Sequence, residues 1–303
     1  MNTSPSFDVI IIGGSYAGLS AAMALGRSLR TVLIIDSGLP CNRQTPHSHN
    51  FITQDGEPPY LIAQKARNQV LKYPTVKLLE EKAVDGTKDG DGFTITVESG
   101  STYHAEKLVF ATGLRDHMPD ISGFEACWGI SVIHCPYCHG YEVKNEKTVI
   151  LANSDTALHY AQLIRNLTKD LTILTNGKAE LSIEQYDKLK RNGIPVIETE
   201  IARLIHENGH LQEVVFKDGS RFLTQVMYAR PHFEQQCPIA EKLGCSITET
   251  GHIFTDAFQK TTVSNVYACG DNSGMMRSVA HAVYTGNLAG AMINNEFTAE
   301  AFR

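Results

Sequence analysis

Two cysteines one helical turn apart, flanked by two histidines, stand near the middle of the chain, in His134-Cys135-Pro136-Tyr137-Cys138-His139-Gly140-Tyr141-Glu142. If this segment starts a helix, both sulfurs face one side and can close a small disulfide ring, and the positive end of the helix stabilises a thiolate. That is redox chemistry. The segment His-Cys-x-x-Cys-His also offers soft and borderline metal ligands, which is the competing reading. A structural zinc site usually draws its second pair from another knuckle, whereas Cys41, Cys127, Cys237, Cys245 and Cys269 stand singly. Ligands packed this closely would also strain a tetrahedral cage. The redox reading is preferred over a metal site and over a merely structural pair.

The elements that must position this segment are legible on either side of it. Residues 8–12 (DVIII) form a β-branched run that reads as a buried parallel strand, leading into Gly13-Gly14-Ser15-Tyr16-Ala17-Gly18 and an alanine-rich helix to about residue 29. A second strand, 31–35, ends in Asp36, where an acidic side chain accepts hydrogen bonds from ribose hydroxyls. Strand, glycine turn, helix and distant acid make a dinucleotide-binding unit. Ser15 holds the place of the middle glycine, and its hydroxyl can itself donate to phosphate. Residues 41–56 are polar and turn-rich and carry His47 and His49, as a loop that lines something or as histidines facing solvent. A helix is expected over about 60–72, and several short strands over 77–104 with a turn at 89–92. The strand 107–111 ends in Thr112-Gly113 and should return to the first sheet.

Beyond the cysteines the topology repeats and its glycines do not. The strand 148–151 is followed by a turn and a helix from about Ala157, yet Ala152, Ser154 and Ala157 fill the fingerprint positions where a pyrophosphate needs bare backbone. The next strand, 171–175, ends in Asn176-Gly177, with neither a ribose-binding acid nor an arginine pair for a 2′-phosphate. Short strands with turns at 207–209 and 217–219 follow. A last strand ends in Gly270-Asp271 ahead of a helix beginning near Arg277, whose N-terminus could stabilise negative charge on a reduced flavin.

Composition narrows the classes. Hydrophobic residues make up 42% and charged residues 20%, ordinary for a water-soluble globular protein of two domains. A net charge of −6 without a Lys/Arg run argues against nucleic acid and anionic membrane surfaces. Residues 1–8 carry no basic region and do not read as a secretory signal, and the glycine-bearing apolar stretch 9–26 does not read as a membrane span. Seven cysteines, mostly isolated, make no disulfide framework, so the cytoplasm is the expected compartment.

Together these residues resemble the low-molecular-weight thioredoxin reductase family of flavoproteins, class II pyridine nucleotide-disulfide oxidoreductases, over essentially the whole chain. The resemblance implies an α/β fold of two Rossmann-like, three-layer domains. The FAD domain (1–116 and 245–303) is split in sequence around an inserted, degenerate NAD(P)H-type domain (117–244) that carries the cysteine pair. It implies that Gly13, Ser15, Gly18 and Asp36 hold the FAD adenosine and pyrophosphate. Ala83 would lie near the adenine, Thr112 and Gly113 would flank the pyrophosphate, and Asp271, Arg277, Ser278 and Val279 would contact the ribityl chain and isoalloxazine. Asn50 matches the family's flavin-contacting Asn, with Arg43 and Gln44 beside it on a loop shorter than the family's. By position Cys138 is the flavin-proximal sulfur and Cys135 the exchanging one. The family's acid after the second cysteine is here His139, which can do the same proton transfer nearer neutrality. With Gly140-Tyr141-Glu142 and the His47-Ser48-His49-Asn50 loop, that substitution resembles the dithiol oxidases of gliotoxin and holomycin metabolism.

The expected activity is therefore FAD-dependent thiol-disulfide exchange through Cys135, Cys138 and His139, with NADPH a poor donor. The partner is a thioredoxin-like protein or a small dithiol or disulfide, with ferredoxin a possible donor. Two alternatives stand beside it: a dithiol oxidase passing electrons through FAD to oxygen, and a flavin redox sensor without turnover. The family implies a homodimer.

Overall fold

The computed structural model describes residues 5–302, and the reading of residues 1–8 as no secretory signal falls partly outside them. In chain order the elements are β1 (Ser6–Ile12), α1 (Tyr16–Arg27), β2 (Val32–Ile35), α2 (Pro59–Val70), β3 (Val76–Leu79), β4 (Ala83–Asp89), β5 (Gly92–Val97), β6 (Thr102–Phe110) and β7 (Leu114–His117). There follow α3 (Phe124–Cys127), β8 (Val132–Ile133), α4 (Pro136–His139), β9 (Thr148–Leu151), α5 (Ser154–Ile164), β10 (Leu171–Leu174), α6 (Ile183–Arg191) and β11 (Val196–Ile197). The chain ends with β12 (Ile201–Glu207), β13 (His210–Phe216), β14 (Arg221–Leu223), β15 (Val226–Ala229), β16 (His232–Gln235), α7 (Ile239–Lys242), β17 (Val266–Ala268) and α8 (Val279–Ala301). Among the described residues no helix is long and apolar enough to cross a membrane.

Two compact units emerge, one of Met1–Arg43, Tyr60–Arg115 and Phe233–Arg303, the other of Gln44–Pro59 and Asp116–His232. The α/β reading with parallel sheets holds in both. In the first unit a seven-stranded sheet runs β3-β2-β1-β6-β5-β4, with β17 also pairing β6. Strands β3, β2, β1, β6 and β17 are parallel, and β4 and β5 join antiparallel. β1 is buried on both faces, as its unbroken run Val9–Ile12 demands. Because β1 lies between β2 and β6, its C-terminal end opens where connections leave the sheet in opposite directions, the place ligands occupy in such sheets.

Helix α8 is held against α1 by small residues. A Cβ at Gly286 would fall on the Ala17 carbonyl oxygen and one at Gly290 would crowd Ala21, so glycine is what allows this approach. The far end of α8 is tied to β6 by Lys107, which is 1% exposed. Its ammonium donates to Glu296 at 3.1 Å, Glu300 at 3.2 Å and Asn265 at 3.0 Å, while Lys260 also bonds Glu296. Burial pushes the Glu296 carboxyl up, but the hydrogen bonds from Lys260 and Lys107 outweigh it and hold the group below its ordinary range. A folded-state value below the unfolded one contributes stability above the ordinary carboxylate pKa and loses it as pH falls through the folded value. Lys107→Met is thus expected to lower unfolding free energy by about 2 kcal/mol at neutral pH, the scale of a hydrogen bond to a charged group. The gap from the parent should narrow in acid, and urea melts showing a pH-independent gap would contradict this ion-pair origin.

In the second unit a parallel five-stranded sheet, β11-β10-β9-β15-β8, stands beside an antiparallel three-stranded one, β12-β13-β14. Residues 44–59 group with this unit. Gln44 and Thr45 lie against Gly129, and Ser48 and Glu57 close the loop on itself through an isolated bridge.

Candidate functional site

The cysteine segment leaves β8, whose partner in the sheet is β15. Cys135 keeps an extended backbone (φ −111°, ψ 111°) and caps α4, with Pro136 in the first helical position where no N–H is needed. The structure shows a single turn, because Gly140 ends it and residues 141–146 continue in turns. The macrodipole argument therefore carries little. What the turn offers the sulfur is local: the Cys138 N–H donates to Cys135 Sγ at 3.2 Å. Cys135 and Cys138 are joined as a disulfide, with Cα atoms 5.3 Å apart. Among the described residues no group of three or more His, Cys, Asp or Glu could hold a metal ion.

Gly140 has no room for a side chain. A Cβ there would fall on the Pro136 carbonyl oxygen and meet Leu167 and the Tyr228 hydroxyl. Tyr228 is 1% exposed, and its Oη has no hydrogen-bond partner among the described residues. Burial first, then the charge of Glu142, push its phenol well above the ordinary range, so it stays protonated. On the other side, Tyr160 Oη donates to the His134 carbonyl at 2.8 Å, and the His134 ring stacks on Trp128 with centroids 5.9 Å apart.

His139 follows the second cysteine directly and is mostly enclosed. Burial lowers its pKa, the charge of His49 lowers it further, and Glu142 opposes both. Near neutral pH the ring is therefore neutral and able to accept a proton. His49 Nδ1 lies 3.5 Å from Glu142 Oε1 and 3.7 Å from Asp55 Oδ1. Sequence reasoning left His49 as loop lining or solvent-facing and used Glu142, like the His49 loop, only in the resemblance to the dithiol oxidases, without pairing them. The available signal was a histidine-rich loop together with a carboxylate one turn beyond His139. Asn50 sits in this same loop, at φ +60°, its N–H donating to Asp55. Arg43 lies in the first unit and bonds its own Pro40 carbonyl, while Gln44 lies in the second.

The first unit gathers most of the other sequence-derived residues. Gly13 stands at φ +106°, and its N–H donates to the Ile35 carbonyl at 2.8 Å, locking the turn to the sheet. A Cβ at Gly13 would fall on the Ala111 carbonyl, and one at Gly18 on the Gly13 carbonyl, so the strand, turn and helix can close only with glycine at both positions. Ser15 N-caps α1 without its hydroxyl bonding the helix backbone. Asp36 follows β2 and faces Arg67 of α2 at 3.4 Å, a partner the sequence did not suggest. At the ends of β6 and β17, Asn272 is fully buried and donates to the Phe110 carbonyl at 2.8 Å and to Thr112 Oγ1 at 3.2 Å. Its Oδ1 has no partner among the described residues. Gly113 stands at φ +65°, and Ala83, which opens β4, is buried. Asp271 lies 3.6 Å from Arg277, and Ser278 caps α8 by accepting from the His281 N–H, one residue ahead of Val279.

The corresponding turn of the second unit is closed. Helix α5 begins at Ser154, three residues before the expected start, because Asn153 caps it. Asn153 Oδ1 accepts from the Ser154 N–H at 2.9 Å and the Glu180 N–H at 2.8 Å, and its Nδ2 donates to the Lys178 carbonyl at 3.0 Å. Ser154 takes φ +54°, a left-handed backbone, where a dinucleotide turn would carry glycine. Asp155, in the first turn, is bonded by Gln185 at 2.6 Å. A side-chain amide and a carboxylate thus stand at the helix end where a pyrophosphate would need free N–H groups.

Compared with known proteins, residues 7–286 match the family model described as pyridine nucleotide-disulphide oxidoreductase. The chain is 32% identical to thioredoxin reductase tcpT of Claviceps purpurea, over 99% of this chain and 97% of that one. It is 32% identical to thioredoxin reductase sirT of Leptosphaeria maculans, over 97% and 95%. Among solved structures, a putative thioredoxin reductase TrxB from Bacillus anthracis superposes with a TM-score of 0.93 at 35% identity, covering 97% of this chain and 99% of that one.

Proposed function

The chain belongs to the pyridine nucleotide-disulphide oxidoreductase family, and on that premise we propose that it oxidises a small dithiol through Cys135 and Cys138 and does not take electrons efficiently from NADPH. At the coarser level it is a flavin-dependent disulfide oxidoreductase of the thioredoxin reductase kind, acting on a thioredoxin-like or dithiol/disulfide partner. The observation that carries the finer reading is Asn153, whose side chain occupies the N–H of Ser154 at the head of α5.

The residues of the first unit fit FAD on their own geometry. The Gly13 and Gly18 turn leaves backbone bare at a helix N-terminus, and the buried Asn272 Oδ1 is an acceptor in want of a donor. Gly13, Ser15 and Gly18 would hold the pyrophosphate with Thr112 and Gly113, and Asp36 the ribose. Asp271, Arg277, Ser278 and Val279 would meet the flavin end. Asn50, Arg43 and Gln44 are assigned to the cofactor on family position alone. When bound, FAD supplies a two-electron sink for the cysteine pair.

The protein's own part is thiol exchange. A substrate thiolate attacks Cys135 Sγ, the Cys135–Cys138 bond breaks, and Cys138 leaves as a thiolate. The substrate's second thiol then attacks its own sulfur in the mixed disulfide, which releases Cys135 and leaves the substrate oxidised and the pair reduced. Two protons are given up by the substrate. His139, neutral and mostly enclosed, is the base for the first of them, and the released Cys138 thiolate takes up the second. The Cys138 N–H, aimed at Cys135 Sγ, stabilises charge on that sulfur as it is released. Oxygen is the terminal acceptor in this proposal, which needs no reduced nucleotide. Anaerobic mixing of the oxidised holoprotein with dithiothreitol and, separately, with NADPH tests the reading.

A further inference from the structure

Residues 44–59 are folded onto themselves. The Ser48 N–H donates to the Glu57 carbonyl at 2.9 Å, the Gly56 N–H to the Ser48 carbonyl at 2.9 Å, and the Asn50 N–H to Asp55 Oδ1 at 2.7 Å. His47 Nδ1 bonds the Gly56 carbonyl at 2.9 Å. This closure presents His49 between two carboxylates, Asp55 of its own loop and Glu142 of the turn that follows the cysteines. The His49 side chain is 19% exposed, Glu142 39% and Asp55 69%, so the imidazole is enclosed between two more open carboxylates.

We propose that His49 is a positioning residue of the dithiol site, anchoring Glu142 beside the cysteine turn and keeping His139 ready to accept the proton of an incoming thiol. The inference rests on the dithiol reading and adds a second imidazole to it. His49 and Glu142 act on His139 in opposite senses, since a cation nearby disfavours a second proton and a carboxylate favours it. The other ionisable groups facing this row are His47 on the loop, whose ring centroid lies 6.5 Å from that of His49, and the protonated Tyr228 of β15 facing Glu142. Because Tyr228 remains neutral, the balance on His139 is set by His49 and Glu142 together with burial.

The test uses the full-length, FAD-loaded protein with oxidised flavin, carrying ring-labelled histidine, and follows the His139 resonance against pH in the parent, His49→Gln and Glu142→Gln. The midpoint should rise by about half a pH unit in His49→Gln and fall by about as much in Glu142→Gln. The acid limb of flavin reduction by dithiothreitol should move with it in each variant. A purely structural role for the loop would lower the rate at every pH without moving either midpoint. Opposite movements support the proposal, and any other pattern overturns it. If dithiothreitol fails to reduce the parent's flavin, the dithiol reading fails, and the ring titration still decides what His49 does.

Discussion

A Cys138→Ser chain should bind FAD like the parent and lose turnover with any dithiol by a factor of about 10³ or more. The serine hydroxyl cannot form the disulfide that accepts the substrate's electrons, and as an alkoxide it is far too basic to leave at neutral pH. Cys135 would still be present, its sulfur on the same one-turn cap, so a dithiol could meet a thiol but not a disulfide. Flavin binding should survive because the residues proposed to hold the cofactor's pyrophosphate and ribose lie in the other compact unit. Activity assays alongside the flavin spectrum check both halves. Turnover retained at parental level would contradict the assignment of the pair, and loss of flavin with loss of activity would mean that the substitution acted through folding.

The second large effect lies at the glycine turn. Gly18→Ala should cost at least about 3 kcal/mol of stability and leave most of the purified protein without flavin, although it adds one methyl group. The added Cβ would fall on the Gly13 carbonyl oxygen, a backbone atom at a position whose φ of +106° is already fixed by the sheet bond to Ile35. Relief requires α1 to move away from β1, and α1 is pinned on its other face by α8 at Gly286 and Gly290. Gly38→Ala makes the contrast. Its ideal Cβ meets nothing within 4 Å, so the cost there is limited to its left-handed backbone, about 1 kcal/mol. Thermal melts and the flavin-to-protein absorbance ratio measure both, and equal effects at Gly18 and Gly38 would refute the steric account.

What could be read in advance divides along a physical line. The unit from β1 through Asp36 was legible because each of its constraints is local: a buried strand needs an unbroken apolar run, and the turn needs glycine. The loss of glycines at Ala152, Ser154 and Ala157 was legible for the same reason. What replaces the phosphate was not. Asn153 capping α5 while reaching Lys178 and Glu180 depends on a loop distant in sequence, and that cap is why the helix starts before its expected residue. The extent of the cysteine helix could not be read, because the spacing of two sulfurs needs only one turn, which is all that Gly140 permits. Arg67 beside Asp36, Asn272 beneath Thr112 and His49 beside Glu142 are pairings across the fold that leave no periodic trace.

The central claim, that electrons reach this flavin from a dithiol through Cys135 and Cys138 and not from a reduced nucleotide, is met most directly by anaerobic stopped-flow mixing of the oxidised holoprotein with dithiothreitol and with NADPH. The account predicts loss of the flavin band at about 450 nm with dithiothreitol, and little or slow change with NADPH at the same concentration. Rapid bleaching by NADPH, or none by the dithiol, would contradict it.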